Sequence, residues 1–256
     1  MGIVNVTPDS FYAEQRTELA ADAITRGRLL FEAGADVVDV GGESTRPGAE
    51  PVDAAAELAR VLPVVEALAP LGQVSIDTTK EAVARACVAA GAVLINDVSG
   101  TLGPLCAELG VGWVAMHAKG APKTMQDAPS YTDVVAEVGD WLVARATEAA
   151  AWGIEDLWLD PGIGFGKTAE HNWSLLRHGD ELSARAHDHG ARYLVGTSRK
   201  RFLGLLFGDV PAEERLDASL ATAMAAFEAG ADMVRVHDVA PTREAARILN
   251  EEMVIA

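Results

Sequence analysis

Cysteine is scarce: the chain has two, Cys87 and Cys106. They stand too far apart for a CxxC motif. Each lies in an Ala- or Leu-rich run, so both are expected to be inert core thiols of a reducing compartment. Positive charge is also in short supply. Against 38 acidic residues there are 21 Lys and Arg, a net charge of −17. That balance argues against nucleic acid or an anionic membrane as a partner. It does not exclude an anionic small substrate, because a local cluster of Arg and Lys can dominate one pocket. No apolar run approaches the ~18 residues of a membrane span, and no basic-then-apolar signal opens the chain, so a cytoplasmic location is expected. Aromatics make up only 5% of the residues. Ala, Val, Leu and Gly dominate instead, as suits helices packed on a parallel sheet whose buried strands read as short apolar runs.

Such runs recur evenly. Strands are expected at Gly2–Val6, Val37–Val40, Val74–Asp77, Val93–Asn96, Trp113–His117, Leu157–Asp160, Tyr193–Thr197 and Met233–His237. Helices are expected near Glu18–Ala33, Asp53–Ala69, Lys80–Ala90, Pro104–Leu109, Thr132–Trp152, Asn172–His189, Ala212–Ala229 and Thr242–Met253. Three of these end in Ala-Gly-Ala, at Ala33–Ala35, Ala90–Ala92 and Ala229–Ala231, where Gly fits a left-handed C-cap. Regular alternation implies right-handed βαβ crossovers and a parallel sheet. The length of 256 residues suits one (β/α)8 TIM barrel, typically ~250 residues, as a single domain over residues 1–256. An open doubly wound sheet is the alternative. Met1 stands almost at the start of the first strand, with nothing ahead of it to plug the barrel floor, which is compatible with a natural chain that begins earlier.

Barrel active sites form at the C-terminal ends of the strands. Those ends carry Asn5; Asp39 and then Gly41-Gly-Glu-Ser-Thr-Arg-Pro-Gly48; Asp77; Asn96-Asp97; Met116-His117; Asp160-Pro-Gly162; Ser198-Arg-Lys200; and Arg235 with His237. Each has a bland reading. Asp160 before Pro-Gly can be a turn former. Asn96 or Asp97 can cap the next helix. His237 can be a satisfied core histidine, and Arg46 a solvated loop charge. A polar group at every strand end is what points to a site. Asp77, Asn96, Asp160 and Lys200 can hold a flat heterocycle with edge NH donors and a ring carbonyl, such as an aminopyrimidinone. Arg46, Arg235 and His237 are cationic or can be, and suit a pyrophosphate. Asn5 offers a neutral oxygen to Mg²⁺, which keeps most of its waters and bridges phosphates. The run Asp160-Pro-Gly-Ile-Gly-Phe-Gly-Lys167 has the wrong spacing for a P-loop. Its glycines are expected to let the backbone approach a planar ligand.

Asn5-Val-Thr-Pro-Asp-Ser-Phe11, Gly41–Gly48, Ser75-Ile-Asp-Thr78, Ile95-Asn-Asp-Val-Ser-Gly100, Asp160–Lys167, Ser198-Arg-Lys200 and Arg235-Val-His237 resemble the dihydropteroate synthase family. The motifs fall in order over essentially the whole chain. The resemblance implies a transferase of folate biosynthesis and a sulfonamide target. Such an enzyme joins 6-hydroxymethyl-7,8-dihydropterin pyrophosphate to p-aminobenzoate, usually as a homodimer. It assigns Asp77, Asn96, Asp160 and Lys200, with Met116, to the pterin, and Asn5 to Mg²⁺. It assigns Arg46, Arg235 and His237 to the pyrophosphate, and Thr45, Pro47, Phe165 and Ser198 to p-aminobenzoate, with Phe11 closing over it. Catalysis would rest on Asp77, Lys200, Arg235 and His237. The family's first loop usually reads Asp-Ser-Phe-Ser-Asp-Gly-Gly. Here Ala13 replaces the second Asp, the two glycines are gone, and Glu14, one residue along, is expected to substitute. Arg201 stands where many members carry Ser and is expected to alter the pocket edge near Lys200. Two other readings stay open: a methyltetrahydrofolate-dependent methyltransferase, which would not need the cationic cluster, and a homologue that binds pterin without turnover.

Overall fold

The computed structural model describes residues 1–7, 13–44, 51–120 and 124–250, the side chains of 13–18 and 250 excepted. The first half runs β1 (Gly2–Asn5), α1 (Ala13–Glu32), β2 (Val37–Gly41), α2 (Ala54–Leu68), β3 (Gln73–Asp77), α3 (Glu81–Ala89), β4 (Leu94–Asp97) and α4 (Gly103–Leu109). The second half runs β5 (Gly112–Met116), α5 (Val134–Trp152), β6 (Leu157–Asp160), α6 (Ala169–Arg177), α7 (Gly179–His187), β7 (Arg192–Val195), α8 (Arg201–Leu205), α9 (Leu216–Glu228), β8 (Met233–Val234) and α10 (Val239–Asn250). All neighbouring strands pair in parallel, in chain order from β1 to β8. The sheet curls until its ends meet. Gly2 bridges Val236, Ile3 N–H donates to the Val236 carbonyl at 3.0 Å, and Val236 N–H to that of Met1 at 2.9 Å.

The period-2 alternation of the strands divides the apolar residues into two cores. Outward residues such as Val38, Val40, Ile76, Ile95, Ala115, Leu159, Tyr193 and Val234 pack with the helices in the main cluster. Inward residues Val37, Leu94, Val114, Trp158 and Leu194 form a small second cluster with Met1 and Met233. Two residues further along the same strands, the inward positions are Asp39, Asn96, Met116, Asp160, Gly196 and Arg235. The interior is therefore apolar at one end and polar at the other, and the polar end is the C-terminal one.

Local signals start and stop the helices. Asp53 caps α2 through Ala56 N–H at 2.8 Å. Thr168 and His171 form a reciprocal capping box on α6. The three Ala-Gly-Ala glycines, Gly34, Gly91 and Gly230, all have positive φ, as expected. Several boundaries differ from the sequence reading. The first helix begins at Ala13, not Glu18. The expected helix Asn172–His189 is two, because His178 leaves helical geometry (φ −108°, ψ 27°) just before Gly179, a weak helix former. The expected helix Ala212–Ala229 is a 3-10 turn, Ala212–Glu214, and then α9. Between them Arg215 has φ −96° and ψ 14°, and its guanidinium holds the Val210 and Arg199 carbonyls. The short α8 went unforeseen, since five residues carry too little periodicity to read. The last strand is two residues long rather than reaching His237. Cys87 and Cys106 are free and buried, and burial pushes both thiols up to about 12. Among the described residues no helix is long and apolar enough to cross a membrane.

Candidate active site

Asp77, Asn96, Met116, Asp160, Phe165, Lys200 and Arg235, with Val98 and Gly196, line one pocket at the C-terminal ends of the strands, about 300 Å³ when the open solvent at its mouth is included. All seven were expected site residues. In the parallel sheet, register sets Asp77 beside Asn96 across β3 and β4 and Met116 beside Asp160 across β5 and β6.

Each polar side chain is half committed to the protein, and that decides what it offers the pocket. Asp160 Oδ1 accepts from Gly162 N–H at 2.7 Å. The turn-forming role is thus real and leaves the other oxygen for a ligand. Asn96 Nδ2 donates to Asp39 Oδ2 at 2.9 Å, which leaves its Oδ1 as an acceptor. Arg235 donates from Nε to Asp39 Oδ2 at 2.7 Å and from Nη2 to Asp77 Oδ2 at 2.9 Å. Two of its five N–H groups are used, so donors remain for an anion. Lys200 Nζ donates to the Ile163 carbonyl and lies 4.8 Å from the centre of the Phe165 ring. The pocket thus presents three acceptors, cationic donors and an aromatic wall.

Three carboxylates, Asp39, Asp77 and Asp160, face two cations, Lys200 and Arg235. Burial is the largest influence on Asp77 and raises it to about 7. Arg235 opposes that, and Asp39 adds to it. Burial raises Asp160 as well, against the pull of Lys200. Burial brings Lys200 down to about 8, with Asp160 opposing. For Arg235, burial works against the charge, but Asp39 and Asp77 outweigh it and its pKa is raised.

Other expected residues sit beside this pocket. Ser198 Oγ and His237 Nδ1 lie 3.0 Å apart, Ser198 Oγ accepts from His237 N–H, and Arg26 holds the His237 carbonyl at 2.7 Å. Burial, then Arg235 and Arg199, lower His237 to about 4. Of the two states expected for His237, cationic or able to become so, burial and these arginines favour the neutral imidazole, which offers hydrogen bonds. Asn5 is exposed at the end of β1. Phe11, Thr45, Arg46, Pro47 and the side chain of Glu14 lie outside the described residues. The backbone of Glu14 is in the first turn of α1, not in a loop.

One further expectation is corrected, and two of the glycines of Asp160–Lys167 gain a packing role within the chain. Gly162 and Gly166 have φ of +66° and +63°, and a Cβ on them would overlap the carbonyl oxygens of His117 and Lys119. They let the loop lie on the backbone that leaves β5. Arg201 does not edge the pocket, because it is exposed and paired with Asp209 at 2.9 Å. Asp97, not Asn96, holds the chain that leads into α4, which has no side-chain cap of its own. Asp97 accepts from Thr101 and Leu102 N–H, both at 2.7 Å, ahead of α4.

Sequence reasoning placed Asp39 on the rim without giving it a role, and passed over Lys167. Lys167 is buried, and its Nζ donates to the Gly162 and Phe165 carbonyls at 2.9 and 3.1 Å, with His117 Nδ1 at 2.9 Å. It locks the loop that carries Phe165. The signal was present in the lysine that closes the Gly-rich run, but nothing in a sequence says that such a lysine turns inward.

A family model described as pterin binding enzyme matches residues 1–237. Dihydropteroate synthase of Escherichia coli K12 is 46% identical over 257 aligned residues, which span 97% of this chain and 89% of that one. The structure of Xanthomonas albilineans dihydropteroate synthase with 4-aminobenzoic acid superposes with a TM-score of 0.89 at 43% identity, covering 100% of this chain and 93% of that one. Burkholderia cenocepacia dihydropteroate synthase complexed with 7,8-dihydropteroate gives 0.84 at 43% identity, covering 98% and 89%. The chain belongs to the pterin-binding enzyme family. Its activity is that of the dihydropteroate synthases, transferases of folate biosynthesis.

Proposed function

We propose that the pocket holds the ring of 6-hydroxymethyl-7,8-dihydropterin pyrophosphate and that p-aminobenzoate is joined to it at the pocket mouth. The observation that carries this reading is the convergence of Asp77, Asn96, Asp160 and Lys200 on one opening, against Phe165 and Met116. Ring N–H groups would donate to the two carboxylates and to Asn96 Oδ1, and the ring carbonyl would accept from Lys200. The free donors of Arg235, with His237 and Arg46, would take the pyrophosphate. Thr45, Pro47, Phe165, Ser198 and Phe11 would line the p-aminobenzoate site.

The bond between the exocyclic carbon and the pyrophosphate oxygen breaks, and its electron pair leaves on pyrophosphate. The amine nitrogen of p-aminobenzoate then donates its lone pair to the resulting cation and loses a proton. Arg235 stabilises the leaving charge, and Asp77 and Asp160 stabilise the cation from fixed positions in a poorly solvated pocket. Glu14 would supply the carboxylate that Ala13 lacks. No group of three or more His, Cys, Asp and Glu side chains among the described residues could hold a metal ion. Asn5 has a neutral oxygen of the kind Mg²⁺ accepts and would be the residue of this chain that holds it beside the pyrophosphate. Bound there, Mg²⁺ would neutralise leaving-group charge.

The curled sheet, with β1 and β8 in contact, is read as a closed (β/α)8 barrel forming one domain over residues 1–256. The protein is read as a cytoplasmic homodimer. A coupled assay with both substrates and Mg²⁺ tests the function. Pyrophosphate release that requires p-aminobenzoate and yields dihydropteroate is expected. Pterin binding with no turnover would favour the silent homologue.

A further inference from the structure

We infer that Asp39 is a positioning residue of the pterin pocket, where one buried carboxylate oxygen fixes the donor–acceptor sense of Asn96 and the placement of Arg235. The inference rests on the pterin reading of that pocket.

Asp39 lies mid-strand in β2, opposite Ile3 and Ser75, and is 0% exposed. It is not among the residues that line the pocket. Its Oδ2 accepts from Asn96 Nδ2 at 2.9 Å and from Arg235 Nε at 2.7 Å. An oxygen that already accepts from Arg235 Nε presents an acceptor to the Asn96 amide as well. The Asn96 amide therefore has one workable orientation, NH₂ toward Asp39 and Oδ1 away from it. The reverse would set oxygen against oxygen in a buried site. Asn96 lines the pocket, so the ligand meets an acceptor and must bring an N–H.

The same oxygen holds Arg235. With Nε on Asp39 and Nη2 on Asp77, two carboxylates on different strands fix the guanidinium plane. The donors left over then have fixed directions. Asp39 Oδ1 is buried and has no hydrogen-bond partner. A carboxylate kept for stability alone would be an inefficient choice there, since an apolar residue of similar volume is often as good or better. What an apolar residue cannot do is orient Asn96 and Arg235.

The test is calorimetry with 6-hydroxymethylpterin on wild type, Asp39→Leu, Asn96→Ala and the double variant, together with KM values for both substrates. Asp39→Leu is expected to weaken pterin binding at least tenfold. The p-aminobenzoate KM at saturating pterin pyrophosphate should stay within threefold. The loss should add little to that of Asn96→Ala, because both break one linkage. Asp39→Asn, whose amide oxygen still accepts from Asn96, should recover most of the affinity. Pterin affinity within threefold of wild type in folded Asp39→Leu would overturn the inference. So would fully multiplicative losses in the double variant, or a parallel rise in both KM values. Should Asp39→Leu not fold, Asp39→Ser is held to the same criteria. A wild type that fails to bind 6-hydroxymethylpterin sinks the pocket reading itself. A wild type that binds beside an unaffected Asp39 variant sinks only the role of Asp39.

Discussion

The affinity for a pterin should depend on pH through Asp77. Burial holds this carboxyl at about 7, despite Arg235 at 2.9 Å. A ring that presents N–H groups selects the ionised form. Below pH 7 the free protein must then release a proton to bind, so affinity rises with pH and levels off above about 7. At one pH unit below the pKa roughly one molecule in eleven is ionised. Affinity there should be about tenfold below its plateau, or ~1.4 kcal/mol. Stability should move the other way. Between the ordinary value of 3.8 and about 7, the folded protein holds a proton that the unfolded chain has released. The contribution of Asp77 to stability therefore falls as pH rises through that window and is flat beyond it. Calorimetry with 6-hydroxymethylpterin from pH 6 to 7.5, in two buffers of different ionisation enthalpy, reads both the affinity and the released proton. Lys200, at about 8, stays charged over most of this range, and His237, at about 4, stays neutral. Asp160 is also raised by burial, so Asp77→Asn is the deciding control. It should bind more weakly and with a flat profile. A flat wild-type profile, or a slope that survives in Asp77→Asn, would refute the assignment.

Three other changes have defined outcomes. Arg235→Ala should lower affinity for the pterin pyrophosphate far more than for the bare pterin. It should also lower the melting temperature, because Asp39 and Asp77 lose their partner; equal losses for both ligands would make Arg235 structural. Lys167→Met keeps the stem and strands the Gly162 and Phe165 carbonyls. About 1–3 kcal/mol of stability should go, with a raised p-aminobenzoate KM as Phe165 loosens; denaturant titration and steady-state kinetics check both. Glu14→Gln should cut turnover ten- to a hundredfold, about 1.4–2.7 kcal/mol of barrier, with pterin affinity nearly unchanged. Wild-type turnover in that variant would leave Glu14 without a role in the chemistry.

The order of elements was legible in the sequence because a parallel sheet buries both strand faces and leaves short apolar runs that stand out. The Ala-Gly-Ala stops were legible because few residues other than Gly accept a left-handed backbone. The pocket residues were legible because strand ends share one rim once the strands are parallel and in order. Pairing between rim residues was not legible. Nothing linear says that Arg235 spans to Asp39 and Asp77, 196 and 158 positions away. Those bonds exist because the sheet curls until β8 lies beside β1. Nor could sequence say that Lys167 turns inward, that Arg201 turns out, or that His237 is neutral. Burial and neighbouring charge set those outcomes, and both are properties of the closed-up chain. The sequence determined which groups reach the rim. The tertiary structure decided which atoms of those groups remain free for a ligand, because each buried donor or acceptor must first be satisfied by whatever the fold places beside it.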